Sequence, residues 1–129
     1  MNLNQVTLPV KNMALATEFY RKLGFTQIVD TDHYARFECP DNGATFSLSL
    51  DENDFKNGAT IYFEHENLDQ WVSELSDRGL KFEQLPTEQS YLWREAIIYD
   101  PSGNKIKLYY AGHNRLNPPW RVEIIDQES

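Results

Sequence analysis

Residues 12–25, NMALATEFYRKLGF, have a counterpart in residues 67–80, NLDQWVSELSDRGL. Each stretch opens on asparagine, continues with apolar residues at helical spacing and closes on glycine. Asn12 is a plausible N-cap and Gly24 a plausible helix stop, so helices are predicted over 13–23 and, by the same pattern, over 68–78. Gly79 follows Gly24 by 55 residues. A long period that occurs only twice predicts two copies of one supersecondary unit.

A second pair of stretches extends the repeat into β-structure. The turn Pro40-Asp41-Asn42-Gly43 precedes Phe46-Ser47-Leu48, and Pro101-Ser102-Gly103 precedes Ile106-Lys107-Leu108. These stretches lie about 60 residues apart, and one loop insertion accounts for the longer spacing. Two matching units that face each other provide a place for a small-molecule site.

The remaining segments alternate with the period of half-buried strands. Strands are predicted at 5–10, 25–30, 34–39, 44–50, 59–65, 81–84, 93–99 and 105–110. Each half of the chain therefore has the order β-α-β-β-β. We predict one α+β domain, residues 1–129, with βαβββ modules at about 1–54 and 57–110 and a C-terminal strap at 111–129. The eight strands are expected to form one curved, mostly antiparallel sheet with both helices on its convex side.

Composition narrows the partners and the compartment. The net charge of -8 disfavours binding to nucleic acid or to an anionic membrane surface. No apolar run approaches the roughly 20 residues that a membrane-spanning helix needs. Cys39 is the only cysteine, so no disulfide can form within the chain, and we expect it to be a small buried residue rather than a reactive thiol. These features predict a soluble cytoplasmic protein.

Alternation also assigns the two faces of the sheet. The face toward the helices is predicted to carry Val6, Leu8, Ala35, Phe37, Phe46, Leu48, Ile61, Phe63, Ile97, Tyr99, Ile106 and Leu108. The opposite face, which we call the cup face, is predicted to carry Gln5, Thr7, Tyr34, Arg36, Glu38, Ser47, Ser49, Thr60, Tyr62, Glu64, Arg94, Ile98, Lys107 and Tyr109. These polar and aromatic side chains either face water, as in many antiparallel sheets, or line a cavity.

Three stretches of the chain form a recognisable set: Leu8-Pro9-Val10-Lys11-Asn12-Met13, Phe19-Tyr20-Arg21-Lys22-Leu23-Gly24-Phe25 and Asp100-Pro101-Ser102-Gly103-Asn104-Lys105-Ile106. They resemble the vicinal oxygen chelate superfamily, which includes glyoxalases, bleomycin-resistance proteins and extradiol dioxygenases. The resemblance runs to about Tyr110. It implies paired βαβββ modules around a cup, often with a divalent metal held by the first and last strands of each module.

The metal positions that the resemblance implies fall on Gln5, Ser47, Thr60 and Lys107. A glutamine oxygen serves in some glyoxalases, but the other three depart from the family's pattern. Divalent ions need carboxylate, imidazole or thiolate donors, and an ammonium group repels them. We therefore expect no metal cofactor. Another set, made of Glu38, Glu64 and a histidine, stays open, although His33, His65 and His113 share no favourable strand face with those acids.

Three functional classes remain, and small-molecule binding of the bleomycin-resistance kind is our first expectation. A planar or cationic compound would lie in an acidic, aromatic cup. The alternatives are a metal-dependent lyase or dioxygenase, and a metal-independent enzyme with Glu64 or Glu38 as base and Lys107 or Arg94 as electrostatic stabiliser. The ligand-binding candidates are Gln5, Tyr34, Arg36, Glu38, Ser47, Thr60, Tyr62, Glu64, Trp93, Arg94, Lys107 and Tyr109.

The charge of Lys107 carries one hypothesis about the cup. With Arg94 or Arg36, it would supply the positive charge that a metal supplies in relatives, unless Glu64 and Glu38 pair with these bases.

The segment beyond the modules is expected to act as a strap. Pro118 and Pro119 impose an extended course, and Trp120 presents a large apolar surface that needs cover. The strap would fold over its own sheet edge or across a partner subunit, since members of the superfamily often form homodimers. Tyr91 and Trp93 lie near the rim, either as ligand-stacking walls or as ordinary packing.

Overall fold

A computed structural model gives the fold and describes residues 1–41 and 43–126. Asn42 of the predicted turn and residues 127–129 of the predicted strap lie outside the described residues. In chain order the elements are β1 (Gln5–Val10), α1 (Met13–Leu23), β2 (Thr26–Asp30), β3 (Tyr34–Glu38), β4 (Thr45–Leu50), β5 (Thr60–Glu64), α2 (Leu68–Asp77), β6 (Gln84–Glu88), β7 (Arg94–Tyr99), β8 (Lys105–Tyr110) and α3 (His113–Leu116).

The strands form two sheets of identical topology. Their orders are β1-β4-β3-β2 and β5-β8-β7-β6, with the first pair of each sheet parallel and the other pairs antiparallel. This confirms the α+β class and the two βαβββ modules. The eight strands are divided between two four-stranded sheets rather than joined in one.

Both helices end in the way that their glycines predict. The N–H of Leu15 donates to Oδ1 of Asn12 at 3.0 Å, which caps α1. Gly24 (φ 110°) and Gly79 (φ 93°) then adopt the left-handed conformation. In the described ranges, α1, α2 and α3 all lack the length and apolar composition that a helix needs to cross a membrane.

The core continues from one module into the other. Tyr20 of α1 packs against Phe46 of β4, with ring centroids 5.1 Å apart. Phe63 of β5 lies 5.3 Å from Phe46 and 4.5 Å from Phe25, so aromatic rings of both modules are in contact. Cys39 is half-buried against this core, and burial followed by the charge of Asp41 raises the pKa of its thiol.

The turn after β7 also connects the modules. Asp100 is buried, and its Oδ2 accepts a hydrogen bond of 2.8 Å from the hydroxyl of Tyr20. Asn104 Nδ2 donates to the same carboxylate at 2.9 Å and to the carbonyl of Pro9 at 2.8 Å. The Asp-Pro-Ser-Gly-Asn segment therefore fixes the end of β1 and helix α1 against the second module.

Two expectations for the second sheet are wrong. The strand predicted at 81–84 lies at Gln84–Glu88. These residues do not indicate a strand from sequence, because they include Pro86 and lack apolar alternation. A proline is compatible with this strand because β6 is an edge strand.

The predicted faces of β7 are reversed. Ala96 and Ile98 are buried in the core, whereas Ile97 and Tyr99 lie on the opposite face. Because β7 contains consecutive apolar residues, its alternation does not show which of them face the core. Reversal brings Glu95 to the cup face and takes Arg94 away from it.

Candidate ligand site

In the first module, the cup face is a closed polar network. Gln5 Nε2 donates to Ser47 Oγ at 2.8 Å, and the hydroxyl of Tyr34 lies 2.5 Å from the same Oγ. Arg36 donates to the Tyr34 hydroxyl at 3.1 Å from Nε and at 3.0 Å from its terminal nitrogen. These contacts, Ser47 first and then Arg36, lower the pKa of Tyr34. Thr45 also donates to the amide oxygen of Gln5. Four predicted residues of this module are therefore linked by hydrogen bonds: Gln5, Tyr34, Arg36 and Ser47.

In the second module, the cup face contains a buried ion pair. Lys107 Nζ lies 2.7 Å from Oε2 of Glu95, which is only 2% exposed. The hydroxyl of Tyr91 donates to the other carboxylate oxygen, Oε1. Burial lowers the pKa of Lys107, but the hydrogen bond and the charge of Glu95 outweigh burial and hold that pKa above its ordinary value. Burial and then Glu95 raise the pKa of Tyr91.

Four aromatic side chains surround this ion pair, and we call them the aromatic wall: Tyr62, Tyr91, Trp93 and Tyr109. Trp93 stacks on Tyr109 with ring centroids 4.7 Å apart and planes 19° apart. Tyr62 meets both rings edge-on, at 6.0 and 5.6 Å. Lys107 Nζ lies 5.6 Å from the centroid of the Tyr62 ring, within range of a cation–π contact.

The strap folds back over the aromatic wall of its own chain. A pocket of about 370 Å³ lies between them, lined by Tyr62, Tyr91, Trp93, Glu95, Asn114, Arg115, Pro118 and Trp120. The strap begins at a carboxylate, because Oε2 of Glu64 accepts the N–H groups of Ala111 and Gly112, each at 2.9 Å. Arg115 Nε lies 3.7 Å from the other oxygen of Glu64.

The structure separates the predicted ligand-binding residues into several groups. Tyr62, Trp93, Lys107 and Tyr109 lie together in the second module, and Gln5, Tyr34, Arg36 and Ser47 lie together in the first. Glu64 holds the strap. Glu38 is exposed at the end of β3, and Thr60 pairs with Lys105 at the start of β5.

The orientation expected for Arg94 is wrong. Its guanidinium donates to both carboxylate oxygens of Asp69 at the start of α2, at 2.8 and 2.9 Å, and lies 3.6 Å from Glu88. The hydrogen bonds with Asp69 raise the pKa of Arg94 and lower that of Asp69. The side chain is therefore occupied on the helix side of the sheet.

Sequence reasoning missed Glu95, whose carboxylate accepts hydrogen bonds from Lys107 and Tyr91 at the pocket. The internal repeat contains the signal that could have found it. Arg36 pairs with Ser47 in β3 and β4, as Ile97 pairs with Lys107 in β7 and β8. Alignment of the two modules on these pairs places Glu95 at the position of Tyr34.

Comparison with known proteins gives the family of the chain. A family model described as the glyoxalase/bleomycin resistance protein/dioxygenase superfamily matches residues 2–108. The chain belongs to this superfamily. The search of curated proteins found no match to the chain.

Solved structures of the glyoxalase superfamily share this fold. A superfamily member from Sphaerobacter thermophilus superposes with a TM-score of 0.72 at 23% identity over 85% of this chain and 97% of its own. Lactoylglutathione lyase from Agrobacterium tumefaciens superposes with a TM-score of 0.71 at 16% identity over 84% of this chain and 92% of its own. A bleomycin-binding protein in complex with bleomycin superposes with a TM-score of 0.70 at 14% identity over 85% of this chain and 98% of its own.

The divalent metal of the glyoxalase superfamily does not fit the residues at its positions here. Gln5 and Ser47 are hydrogen-bonded to each other, and Lys107 places an ammonium group beside Glu95. Over residues 1–41 and 43–126, no three His, Cys, Asp or Glu side chains are grouped as metal ligands, so the set of Glu38, Glu64 and a histidine is not formed. A site of amide, hydroxyl and ammonium groups is a poor chelator.

Proposed function

We propose that this member of the glyoxalase superfamily binds a small planar molecule in the pocket between the aromatic wall and the strap. The observation that carries the proposal is that the sheet and the strap supply aromatic rings to one pocket. Trp93 and Tyr62 line it from the second module, and Trp120 lines it from the strap. Flat aromatic ligands stack favourably against such rings.

The dimensions and composition of the pocket support this proposal. Its volume of about 370 Å³ lies within the range of about 300–1,000 Å³ that is usual for small-molecule sites. A bleomycin-binding protein with a TM-score of 0.70 holds its ligand on the same fold, which supports a binding role for this scaffold. The first module contributes less, since its polar side chains are engaged with one another.

Engaged carboxylates favour binding over metal-independent catalysis. Glu64 accepts two backbone N–H groups of the strap, and Glu95 accepts from Lys107 and Tyr91. A general base needs a lone pair that can reach a substrate proton. Both carboxylates are held by these structural contacts, so the proposal concerns binding alone.

A thermal-shift screen tests the proposal. The panel contains bleomycin, S-lactoylglutathione, aromatic carboxylates and uncharged flat aromatic compounds. A compound that binds only the native state at 100 times its Kd stabilises it by about 2.7 kcal/mol, which raises the Tm.

Tryptophan variants locate the site of any compound that binds. Trp93→Ala and Trp120→Ala should abolish the shift, because both rings line the pocket. Trp71→Phe is the matched control, since Trp71 lies on α2 and its ring packs against that of His65, with centroids 5.1 Å apart. A panel without any binder, or a shift that survives both alanine variants, would overturn the proposal.

A further inference from the structure

The ionisable groups around the pocket cancel one another. Glu95 and Arg115 are the pocket-lining residues, among those described, that carry a full charge at neutral pH. Each has an opposite charge next to it: Lys107 lies 2.7 Å from Glu95, and Glu64 lies 3.7 Å from Arg115. The local net charge is therefore zero.

This local neutrality contrasts with the chain as a whole. The net charge of -8 alone would favour a cationic ligand. However, charges on exposed surfaces are screened over about 8–10 Å at ordinary ionic strength, so the groups at the pocket dominate. A cation would also need a carboxylate, and both oxygens of Glu95 are already engaged, by Tyr91 and Lys107.

An anionic ligand meets the same obstacle. The ammonium of Lys107 is held by Glu95 and lies near the ring of Tyr62, with its side chain only 16% exposed. A carboxylate or phosphate at Lys107 would share the ammonium with Glu95 and place a second negative charge beside that buried carboxylate, which is unfavourable. Asn114 contributes an uncharged amide, which can donate and accept hydrogen bonds at the pocket wall.

We infer that the pocket selects uncharged flat aromatic molecules over their cationic and anionic analogues. This inference rests on the proposed binding function and specifies its ligand class. Affinity comes from stacking on the aromatic wall and on Trp120. An ionic analogue loses its hydration and meets only groups that already have an opposite charge beside them, Lys107 with Glu95 and Arg115 with Glu64.

Three probes that share one ring system provide the test. They are 2-naphthamide, which is neutral, 2-naphthoate, which is an anion, and 2-naphthylmethylamine, which is a cation at pH 7. Isothermal titration calorimetry at low and high NaCl concentration measures each Kd. We expect the neutral amide to bind at least about tenfold more tightly than either ion, with a Kd that does not change with salt.

The outcomes separate this inference from the proposed function. A charged probe that binds most tightly, with an affinity that falls at high salt, overturns the charge selectivity and leaves the binding role intact. Equal affinities for the three probes overturn it as well. If none of the three binds while another compound of the panel does, the selectivity is again wrong and the binding function stands.

Two variants test the physical cause. Lys107→Met leaves the charge of Glu95 uncompensated, so the cation should gain about tenfold relative to the amide. Glu95→Gln leaves the ammonium uncompensated while its amide oxygen can still accept from Lys107, so the anion should gain instead. Lys22→Met removes an exposed positive charge of α1 and should leave the order of affinities unchanged. If Lys107→Met or Glu95→Gln keeps the wild-type order of probe affinities, the inference is wrong.

Discussion

Lys107 and Glu95 form a buried ion pair of 2.7 Å at the place where the first module has a hydrogen bond of 2.5 Å between Ser47 and Tyr34. In both modules the pair joins the third strand to the fourth on the cup face. The duplicated scaffold therefore has a pair of neutral hydroxyls at this place in the first module and a compensated ion pair in the second. This difference leaves the aromatic pocket on the second module.

The ion pair gives the first prediction, which concerns stability. Lys107→Met leaves a carboxylate that is 2% exposed with Tyr91 as its remaining partner, and should lower the free energy of unfolding by about 3 kcal/mol. The double variant Glu95→Leu with Lys107→Met removes both charges and should recover at least half of that loss. Urea denaturation followed by circular dichroism measures both values.

An exposed pair of the same type is the control. Lys22→Met breaks the contact of 3.3 Å between Lys22 and Glu18 on the surface of α1 and should cost less than about 0.5 kcal/mol. If the Lys107 and Lys22 variants lose equal stability, the pair in the cup contributes no more than a surface pair.

The second prediction concerns the contact between modules. Asn104 is 1% exposed, and its side chain bonds to Pro9, Asp100 and Asn57. Asn104→Ala leaves buried polar groups without partners and should cost about 2–3 kcal/mol in urea unfolding. Asn53→Ala, at an exposed loop position, should change stability by less than about 0.5 kcal/mol. Equal effects would show that the turn does not hold the modules together.

Local signals explain why the modules could be predicted from sequence. The cap at Asn12 bonds to Leu15, and the stop at Gly24 bonds to Tyr20 and Arg21, so each signal involves residues about one helical turn apart. The predicted bounds of strands β1 and β8 match the observed ones because apolar and polar residues alternate along most of each strand. Each such signal is present in a short window and appears twice in the chain.

The bottom of the pocket depends on contacts between distant residues, which no short window contains. Glu95 reaches Lys107 across two strands, and a one-residue error in the phase of β7 places it on the wrong face. The direction of the strap depends on Glu64, which is 47 residues from Ala111 in the chain. The sequence identified Trp120 as a ring in need of cover, but both its own sheet and a partner remained possible.

The third prediction is a loss of stability at alkaline pH. Burial, and then Asp100, raises the pKa of Tyr20 far above its ordinary value, and burial is also the first cause of the raised pKa of Tyr109. In the unfolded chain these phenols lose their protons near pH 10. The native state then binds more protons than the unfolded state, so stability is complete below about pH 10 and falls as the pH rises further.

Tyr20→Phe isolates the largest part of this effect. The variant should lose about 1–2 kcal/mol at pH 7, because Asp100 loses a hydrogen-bond donor. Between pH 10.5 and 11.5 its stability should fall less steeply than that of the wild type, by about 1.4 kcal/mol per pH unit. Parallel pH profiles of the two proteins, from urea midpoints, would show that Tyr20 is not responsible.

The fourth prediction concerns the strap. Glu64→Ala removes the acceptor of two strap N–H groups and the partner of Arg115, so residues after Tyr110 should detach more often. Limited trypsin digestion should cleave the variant after Arg115 several times faster than the wild type. Glu66→Ala, two positions further on and exposed, should keep the wild-type rate. Equal rates in all three proteins would mean that Glu64 does not hold the strap.

The fifth prediction concerns dimerisation and residues 121–126 in the C-terminal part of the strap. Val122 is 70% exposed and Ile124 is 86% exposed, an unusual state for such side chains in a single chain. The guanidinium of Arg121 lies 2.7 Å from the carboxylate of Glu123, two positions further along the chain. Antiparallel pairing of two copies about Val122 would place Arg121 opposite a second Glu123, so the segment is complementary to itself.

We therefore expect a dimer in size-exclusion chromatography with light scattering, and we propose a second copy of the chain as the cover for these side chains. Val122→Asp combined with Ile124→Asp should give a monomer, because paired strands cannot bury the added carboxylates. Ile28→Asp is the matched control: Ile28 is 49% exposed on β2, and its replacement should leave the dimer intact. A monomeric wild type, or a dimer that only the Ile28 variant disrupts, would show that another surface or another partner covers the segment.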